Sequence, residues 1–277
     1  MIGQLELKNR IVSQIEDNTF PRFSILVGQP GSGKKMMCGF IATHLHAVKY
    51  TCGVGVDDIR KMISEAYKIS TKVLYVIADA DKMSIAAKNA MLKVTEEPPQ
   101  NAYFVMTLAD ANNTLNTIRS RGTVYHMNPY SIDELLEYGK MKTNYTLHDD
   151  QAKIIRNICE NPGEIDMLFG NSDTEYARDF YSYAEKVVDN VAVVSGANSF
   201  KIGDKIAFKA TDDKYDLRLF WKAFMAICAD RLSEDPFKYA VGVRVTSKYL
   251  QDLRITGINK QSTFDMWLLD IRQEWMN

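Results

Sequence analysis

Apolar residues in the first half of the chain form two kinds of pattern. Short continuous runs rich in β-branched and aromatic residues are typical of strands buried on both faces: residues 23–27, 73–77, 103–108 and 123–127. Stretches with helical spacing lie between them: residues 34–48, 57–68 and 85–97. Ser84 is placed to cap the last of these helices, and Pro98-Pro99 to stop it. Strands that alternate with helices predict parallel crossovers and a layered α/β domain.

The second half of the chain is predicted to be helical. Helices are expected at residues 132–138, 149–159 and 173–188, and weakly patterned residues 195–213 are expected to form a connection. Two apolar stripes at helical spacing follow: Leu217, Phe220, Trp221, Phe224, Ile227 and Cys228, and then Phe264, Trp267, Leu268, Ile271 and Trp275. An aromatic stripe of this kind is usually core or subunit interface, so no cofactor role is assigned to it.

Composition narrows the class of protein. The 277 residues suffice for two or three domains, and the 46% hydrophobic and 25% charged residues are ordinary for a globular chain. Lys+Arg 34 against Asp+Glu 35 gives no overall attraction to nucleic acid. Neither a secretory signal nor an apolar run of about 20 residues is present, so a cytoplasmic location without membrane contact is expected. The four irregularly spaced cysteines predict buried free thiols and no zinc site.

Residues 28–35, with the sequence GQPGSGKK, are the first segment along the chain with a candidate functional motif. They follow a predicted strand and open a predicted helix, which is the context of a phosphate-binding P-loop, although a plain Gly/Pro-rich turn is the simpler alternative. Backbone N–H groups and the helix N-terminus would face an anion, with the lysine reaching the β and γ phosphates. The candidate nucleotide-binding residues are Gly28, Gly31, Ser32, Gly33, Lys34 and Lys35.

Lys35 departs from the P-loop pattern, which has Ser or Thr there as a magnesium ligand. An ammonium group cannot coordinate a metal. Two unit charges ~4 Å apart at an effective dielectric of ~20 repel by about 4 kcal/mol, and a divalent ion doubles this. Nucleotide binding can survive if Lys35 turns outward or pairs with a phosphate oxygen, while hydrolysis is expected to suffer.

The run VLYVIADADKMSIAAKNAMLKVTEEPP at residues 73–99 resembles bacterial DNA polymerase III clamp-loader subunits of the AAA+ family, most of all delta-prime. NAMLK followed by EEPP is its most distinctive part. Residues 56–60 are similar to the family's helix before the second strand, and residues 103–107 to a strand that ends at a sensor threonine, here Thr107. Motif support covers residues 1–128, and the rest of the chain matches only in helical pattern and order.

Residues 116–122, NTIRSRG, resemble the family's Ser-Arg-Cys motif. The resemblance implies that Arg121 is a trans-acting arginine finger, which reaches the nucleotide of a neighbouring subunit. A guanidinium fork neutralises phosphate charge better than an ammonium does. A solvated or salt-bridged surface arginine is the alternative. Gly122 replaces the family's cysteine, a change expected to matter little.

Other departures concern catalysis and metal binding. By the resemblance, Ala78 stands where active members have the magnesium-organising Asp, and Asp79 where they have the catalytic Glu, so the Walker B segment is degenerate. The family's four-cysteine zinc module is absent, and no arginine is in register near residues 161–164 for nucleotide sensing. ATP or ADP remains a candidate ligand, magnesium is not expected, and little or no hydrolysis is expected from the chain alone.

The resemblance implies a fold and partners. The expected fold is an AAA+ P-loop NTPase domain with a parallel sheet at residues 1–128, a helical lid domain at 129–190, and a collar-like C-terminal helical oligomerisation domain at 191–277. The expected role is that of a non-hydrolysing stator that helps to load a sliding clamp on primed DNA. Its partners would be other clamp-loader AAA+ subunits, the sliding clamp, DNA polymerase and, through the assembly, primed DNA.

Three alternatives stay open. One is an active AAA+ ATPase in DNA replication or repair that uses Lys34, Asp79 and Thr107. The second is a small-molecule P-loop kinase, for which the helical tail and the Arg121 segment have no use. The third is a replication scaffold that uses neither nucleotide nor arginine.

Overall fold

The computed structural model describes residues 2–169, 175–191, 216–253 and 259–276. These residues divide into two compact units. The first extends to Glu134 and includes Asn161–Gly163, and the second holds Leu135–Glu160 and the chain from Glu164 onward. The division into three domains predicted from the sequence stays a prediction.

A parallel sheet forms the centre of the first unit. Its strands are β1 (Phe23–Val27), β2 (Val48–Cys52), β3 (Val73–Ile77), β4 (Ala102–Leu108) and β5 (Thr123–His126), in the order β2-β3-β4-β1-β5. All four pairings are parallel, with Leu26 opposite both Thr107 and Tyr125. The carboxyl ends of β1, β3 and β4 therefore lie side by side, where ligands bind in open α/β sheets.

Helices cover both faces of this sheet. Residues of β1, β3 and β4 alternate between the faces, so each strand contributes to two cores. The helices α1 (Leu5–Glu16) and α2 (Lys34–His44) pack on one face through residues such as Ile11 and Met37. The helices α3 (Val56–Ala66), α4 (Ile85–Glu96) and α5 (Asn116–Arg119) pack on the other through Ile59, Met91 and Ile118. The predicted layered α/β fold with a parallel sheet is confirmed.

Two elements of the first unit differ from the sequence-based prediction. The helix predicted for residues 34–48 ends at His44, because the chain turns through His46 at φ 51° and continues as β2. Residues 48–51 of this edge strand are exposed and only Cys52 is buried, so the strand lacks the apolar run that marks the other four. Helix α1 was also not predicted.

The second unit is helical in its described residues. Its helices are α6 (Ile132–Lys142), α7 (Asp149–Ile158), α8 (Pro162–Phe169), α9 (Glu175–Asn190), α10 (Leu217–Asp230), α11 (Pro236–Asp252) and α12 (Lys260–Met276), where α6 and α8 begin within the first unit. The two predicted stripes lie on α10 and α12 and pack together through edge-to-face contacts of Trp267 with Phe220 and Phe224. Their assignment to the core is confirmed. The connection predicted for residues 195–213 lies outside the described residues.

The four cysteines were predicted to be buried free thiols. All four cysteines are buried and free, and burial raises the pKa of Cys52 to about 11 and those of Cys38 and Cys228 to about 12. Across the described ranges, no helix combines the length and apolar character needed to cross a bilayer.

Candidate functional site

The loop between β1 and α2 has the backbone of a P-loop. Gly31 and Gly33 adopt φ values of 83° and 88°, in the left-handed region that glycine tolerates best. The N–H of Gly28 donates to Leu108 O at 3.1 Å, so the loop leaves the sheet in register with β4. Helix α2 begins directly at Lys34. The candidate loop residues therefore lie at the carboxyl edge of the sheet, as the motif predicts.

The ammonium group of Lys34 is bound to its own loop. Its Nζ donates to Gly28 O at 2.5 Å and to Gln29 O at 2.9 Å. The residue is only 9% exposed, and this burial lowers the pKa of Lys34, while the nearby charges of Asp79 and Asp81 oppose that shift. Two of the three ammonium donors thus satisfy loop carbonyls.

Lys35 points away from the loop interior. Its side chain is exposed, whereas Ser32 is buried. The Ser32 hydroxyl has no hydrogen-bond partner in the described part of the chain. The Ser32 carbonyl accepts a hydrogen bond from Tyr130 Oη at 2.9 Å. Position 35 therefore offers no oxygen to a metal and places its charge in solvent.

The segment Asn161–Gly163 closes over the loop within the first unit. The Gly163 N–H donates to Gly31 O at 3.0 Å. The approach is so tight that a Cβ on Gly163 would collide with the Gly31 Cα, and one on Gly31 would collide with the Asn161 side-chain oxygen. This is the stretch in which the sequence offers no arginine, and the backbone of Gly163 contacts the P-loop there instead.

The ends of β3 and β4 are joined beside Lys34. The N–H of Asp79 donates to the Thr107 hydroxyl at 3.0 Å, and Asp79 itself has a left-handed φ of 52°. Both oxygens of Asp81 accept from the Ala109 N–H, at 3.1 and 3.0 Å, and one accepts from Asn113 Nδ2 at 2.7 Å. Lys34, Asp79 and Thr107 are thus brought together, while Asp81 fixes the loop after β4.

The magnesium ion that P-loop enzymes use does not fit these residues. Position 35 is an outward lysine and position 78 an alanine, so neither of the two usual ligands is available. No group of three or more acidic, histidine or cysteine side chains in the described ranges is arranged to hold a metal.

Arg121 lies in a different setting, just beyond α5. Its Nε donates to Glu96 Oε1 at 2.9 Å, its Nη2 donates to the same oxygen, and its Nη1 donates to Thr117 O at 2.5 Å. The arginine side chain is 31% exposed and that of Glu96 51% exposed. The guanidinium is therefore held at the surface and not buried in the core.

Two contacts in this region were missed from the sequence. Glu96 belongs to the EEPP segment, but spacing alone gave no sign that it contacts Arg121. Gly122 packs so tightly that a Cβ there would stand 2.7 Å from the Phe23 ring. A cysteine at this position would therefore require Phe23 to move, and the expectation that glycine in its place matters little for the role of Arg121 stays a prediction.

Comparison with known families and proteins gives matches over part of the chain. The family described as "DNA polymerase III, delta subunit" matches residues 49–131. DNA polymerase III subunit delta' of Haemophilus influenzae is 30% identical over 126 residues, which cover 42% of this chain and 38% of that protein. Subunit gamma of Buchnera aphidicola is 31% identical over 106 residues, 36% of this chain and 29% of the relative. The matched part thus spans less than half of these relatives.

Solved structures match over more of the chain. A DNA polymerase III gamma subunit-related protein of Thermotoga maritima has a TM-score of 0.57 at 18% identity, covering 99% of this chain and 100% of that one. The RuvB Holliday junction branch migration motor of the same organism has a TM-score of 0.52 at 17% identity, covering 84% and 85%. At such identities the likeness establishes the fold. The sequence matches confirm the predicted resemblance of this chain to clamp-loader subunits of DNA polymerase III, delta-prime among them.

Proposed function

We propose that this chain is a stator-type subunit of a clamp loader. It assists the ATP-dependent loading of a sliding clamp on primed DNA, together with other clamp-loader AAA+ subunits and DNA polymerase in the cytoplasm. It hydrolyses little or no ATP itself. Its chemical contribution is Arg121, which it supplies to the triphosphate held by a neighbouring subunit.

The observation that carries this proposal is the hydrogen bonding and partial exposure of the Arg121 guanidinium. Three of its five N–H donors are used by Glu96 and Thr117, which leaves one N–H on each terminal nitrogen. These two donors lie on a partly exposed side chain that is already ordered. Two unused donors on an ordered cation suit the oxygens of a phosphoryl group.

Arg121 would act by charge stabilisation across a subunit interface. Negative charge spreads over the equatorial oxygens of the transferred phosphoryl group in the transition state. An arginine brought in by an adjacent subunit neutralises it, and such residues are worth about a thousandfold or more in turnover. The carbonyl and carboxylate that hold Arg121 belong to its own chain, so the guanidinium needs no reordering when the neighbour docks.

The P-loop of this chain supports the other part of the proposal, that the chain itself hydrolyses little or no ATP. Lys34 satisfies the carbonyls of Gly28 and Gln29, Lys35 points to solvent, and Gly163 lies on Gly31. Only the third N–H of the Lys34 ammonium group is left for a phosphate oxygen of ATP or ADP. Without an oxygen ligand at positions 35 and 78, any nucleotide held there would lack the metal that activates it.

The C-terminal helix α12 offers a surface for the proposed assembly. Met266, Leu269 and Met276 are 60%, 43% and 58% exposed and fall within about 80° of one another around the helix. The opposite face carries the buried Phe264 and Trp267. An exposed apolar stripe on a helix with a complete core face is typical of a subunit interface. Leu269→Lys is expected to weaken co-purification of the partners, whereas Arg272→Lys on the same helix is expected not to.

The test of the proposal is ATP turnover by the assembly that co-purifies with the full chain from its native host. We expect Arg121→Ala to lower magnesium-dependent phosphate release by about a thousandfold. Arg119→Ala is the matched control, because Arg119 is also a surface arginine but binds Asn112 and Asn116 side chains. Equal turnover by the wild-type and Arg121→Ala assemblies would refute the arginine-finger role.

A second candidate is an active AAA+ ATPase in replication or repair. The proximity of Lys34, Asp79 and Thr107 favours it, with Asp79 as base or metal ligand and Thr107 as sensor. It predicts sustained magnesium-dependent turnover by the isolated chain that is abolished in Asp79→Asn. The stator proposal predicts turnover at the level of the Asp79→Asn variant.

A further inference from the structure

Glu96 lies at a rigid place in the first unit. It is the last residue of α4, a helix that begins with a capping bond from the Ala87 N–H to Ser84 Oγ. The helix buries Met91 and Val94 against the sheet. The carboxylate of Glu96 is therefore presented from an element with little freedom to move.

Arg121 is anchored just as firmly on the other side of this ion pair. Its N–H donates to Ile118 O at 3.1 Å, and Ile118 is fully buried in the same core as Met91. Gly122 packs on the ring of Phe23 directly after it. Two elements fixed by one core thus hold the carboxylate and the guanidinium opposite each other.

The ion pair determines which part of the guanidinium is available. Glu96 Oε1 takes both Nε and Nη2, which form one edge of the fork. Thr117 O takes one hydrogen of Nη1. One N–H on each terminal nitrogen remains unused. The contact with Glu96 therefore leaves Nη1 and Nη2 of Arg121 available to an external anion.

From this geometry we infer that Glu96 is a positioning residue for Arg121. It holds the guanidinium by its side edge and thereby orders the two terminal donors for a phosphoryl group of the neighbouring subunit. The inference rests on the proposed function. Glu96 does not touch the nucleotide, so its effect passes through the orientation of Arg121, as partners of catalytic groups act elsewhere.

The experiment measures kcat and KM for ATP in the co-purified assembly. We expect Glu96→Ala to lower kcat about tenfold with KM unchanged, because the orientation matters in the transition state. Glu96→Gln keeps an oxygen acceptor without the charge and is expected to fall between wild type and Glu96→Ala. Glu97→Ala is the matched control, since the Glu97 side chain has no contact with Arg121.

A double-mutant comparison separates positioning from a general loss of structure. In the Arg121→Ala background, Glu96→Ala is expected to cause no further loss, because the group that it positions is gone. Unchanged or increased kcat in Glu96→Ala and Glu96→Gln would overturn the inference while leaving the proposed function intact. Unchanged turnover in Arg121→Ala alone would remove the proposed function and this inference with it.

Discussion

Lys34 and Arg121 are two of the basic residues that the sequence offers for phosphate, and their surroundings differ. Lys34 is 9% exposed and binds two carbonyls of its own loop, under a segment that contacts Gly31. Arg121 is partly exposed, and the carboxylate that binds it leaves two donors outside. One cation stabilises the loop around it, and the other is presented at the surface.

This difference teaches that two basic residues matching phosphate-binding motifs can be held in opposite ways by the same unit. A buried ammonium needs acceptors, and loop carbonyls provide them whether or not a phosphate binds. A surface guanidinium needs no such support for folding, because exposed ion pairs contribute little to stability. We therefore expect substitutions of the two residues to have different effects. Substitution of Lys34 should lower stability, and substitution of Arg121 should lower activity.

The largest effect on stability should follow from Gly163→Val. Its side chain would collide with the Gly31 Cα, and we expect a loss of about 3 kcal/mol in the free energy of unfolding. Urea unfolding of the isolated chain measures it. Gly39→Ala is the control, because a Cβ there meets only Lys49 Nζ at 3.9 Å, and alanine should stabilise helix α2 by about 0.5 kcal/mol. A neutral Gly163→Val would mean that the loop is not closed by this segment.

Lys34→Ala should have the next largest effect. It leaves the carbonyls of Gly28 and Gln29 without their donor, so we expect the isolated chain to lose about 1 kcal/mol of unfolding free energy. Urea unfolding at neutral pH is the measurement, with Lys35→Ala as the matched control for an exposed neighbour. Equal losses in the two variants would contradict a structural role for Lys34.

The pH dependence of the free energy of unfolding also tests how Lys34 is held, with a smaller expected effect. Burial lowers the pKa of Lys34 in the folded chain below the ordinary value of 10.5. Between these two pKa values the unfolded chain binds more protons, so this residue makes stability rise with pH in that interval. The difference between wild type and Lys34→Ala should therefore grow as the pH approaches 10.5. Parallel curves for the two proteins would indicate that Lys34 is solvated.

Arg121→Ala should have the smallest effect on folding. The Arg121–Glu96 pair is at the surface, and its removal should cost only about 0.5 kcal/mol of unfolding free energy. The same urea experiment checks this. A loss as large as that of Lys34→Ala would mean that Arg121 is primarily a structural residue, and the contrast drawn above would fail.

The central sheet and the P-loop were predictable because their signals are local. Four apolar runs gave four strands, of which β1, β3 and β4 are buried throughout, whereas only Tyr125 is buried in the edge strand β5. Ser84 caps α4 as expected. Strand β2 was not predictable in this way, since it is an edge strand with residues 48–51 exposed. Helix α1 went unrecognised although its buried Leu7 and Ile11 have helical spacing.

The candidate site was predictable in its residues but not in their contacts. Lys34, Asp79 and Thr107 come together because their strands end at one edge of the sheet. The contact of Gly163 with Gly31 and that of Glu96 with Arg121 join residues far apart in sequence. No periodicity connects such positions, so only the folded chain reveals that one cation is enclosed and the other presented.

The most direct test of the account compares Lys34→Ala with Arg121→Ala in the same co-purified assembly, by magnesium-dependent phosphate release at a temperature where both variants are folded. The account predicts unchanged turnover for Lys34→Ala and a loss of about a thousandfold for Arg121→Ala. Loss of turnover in Lys34→Ala with normal turnover in Arg121→Ala would contradict it, because the chain would then be using its own pocket.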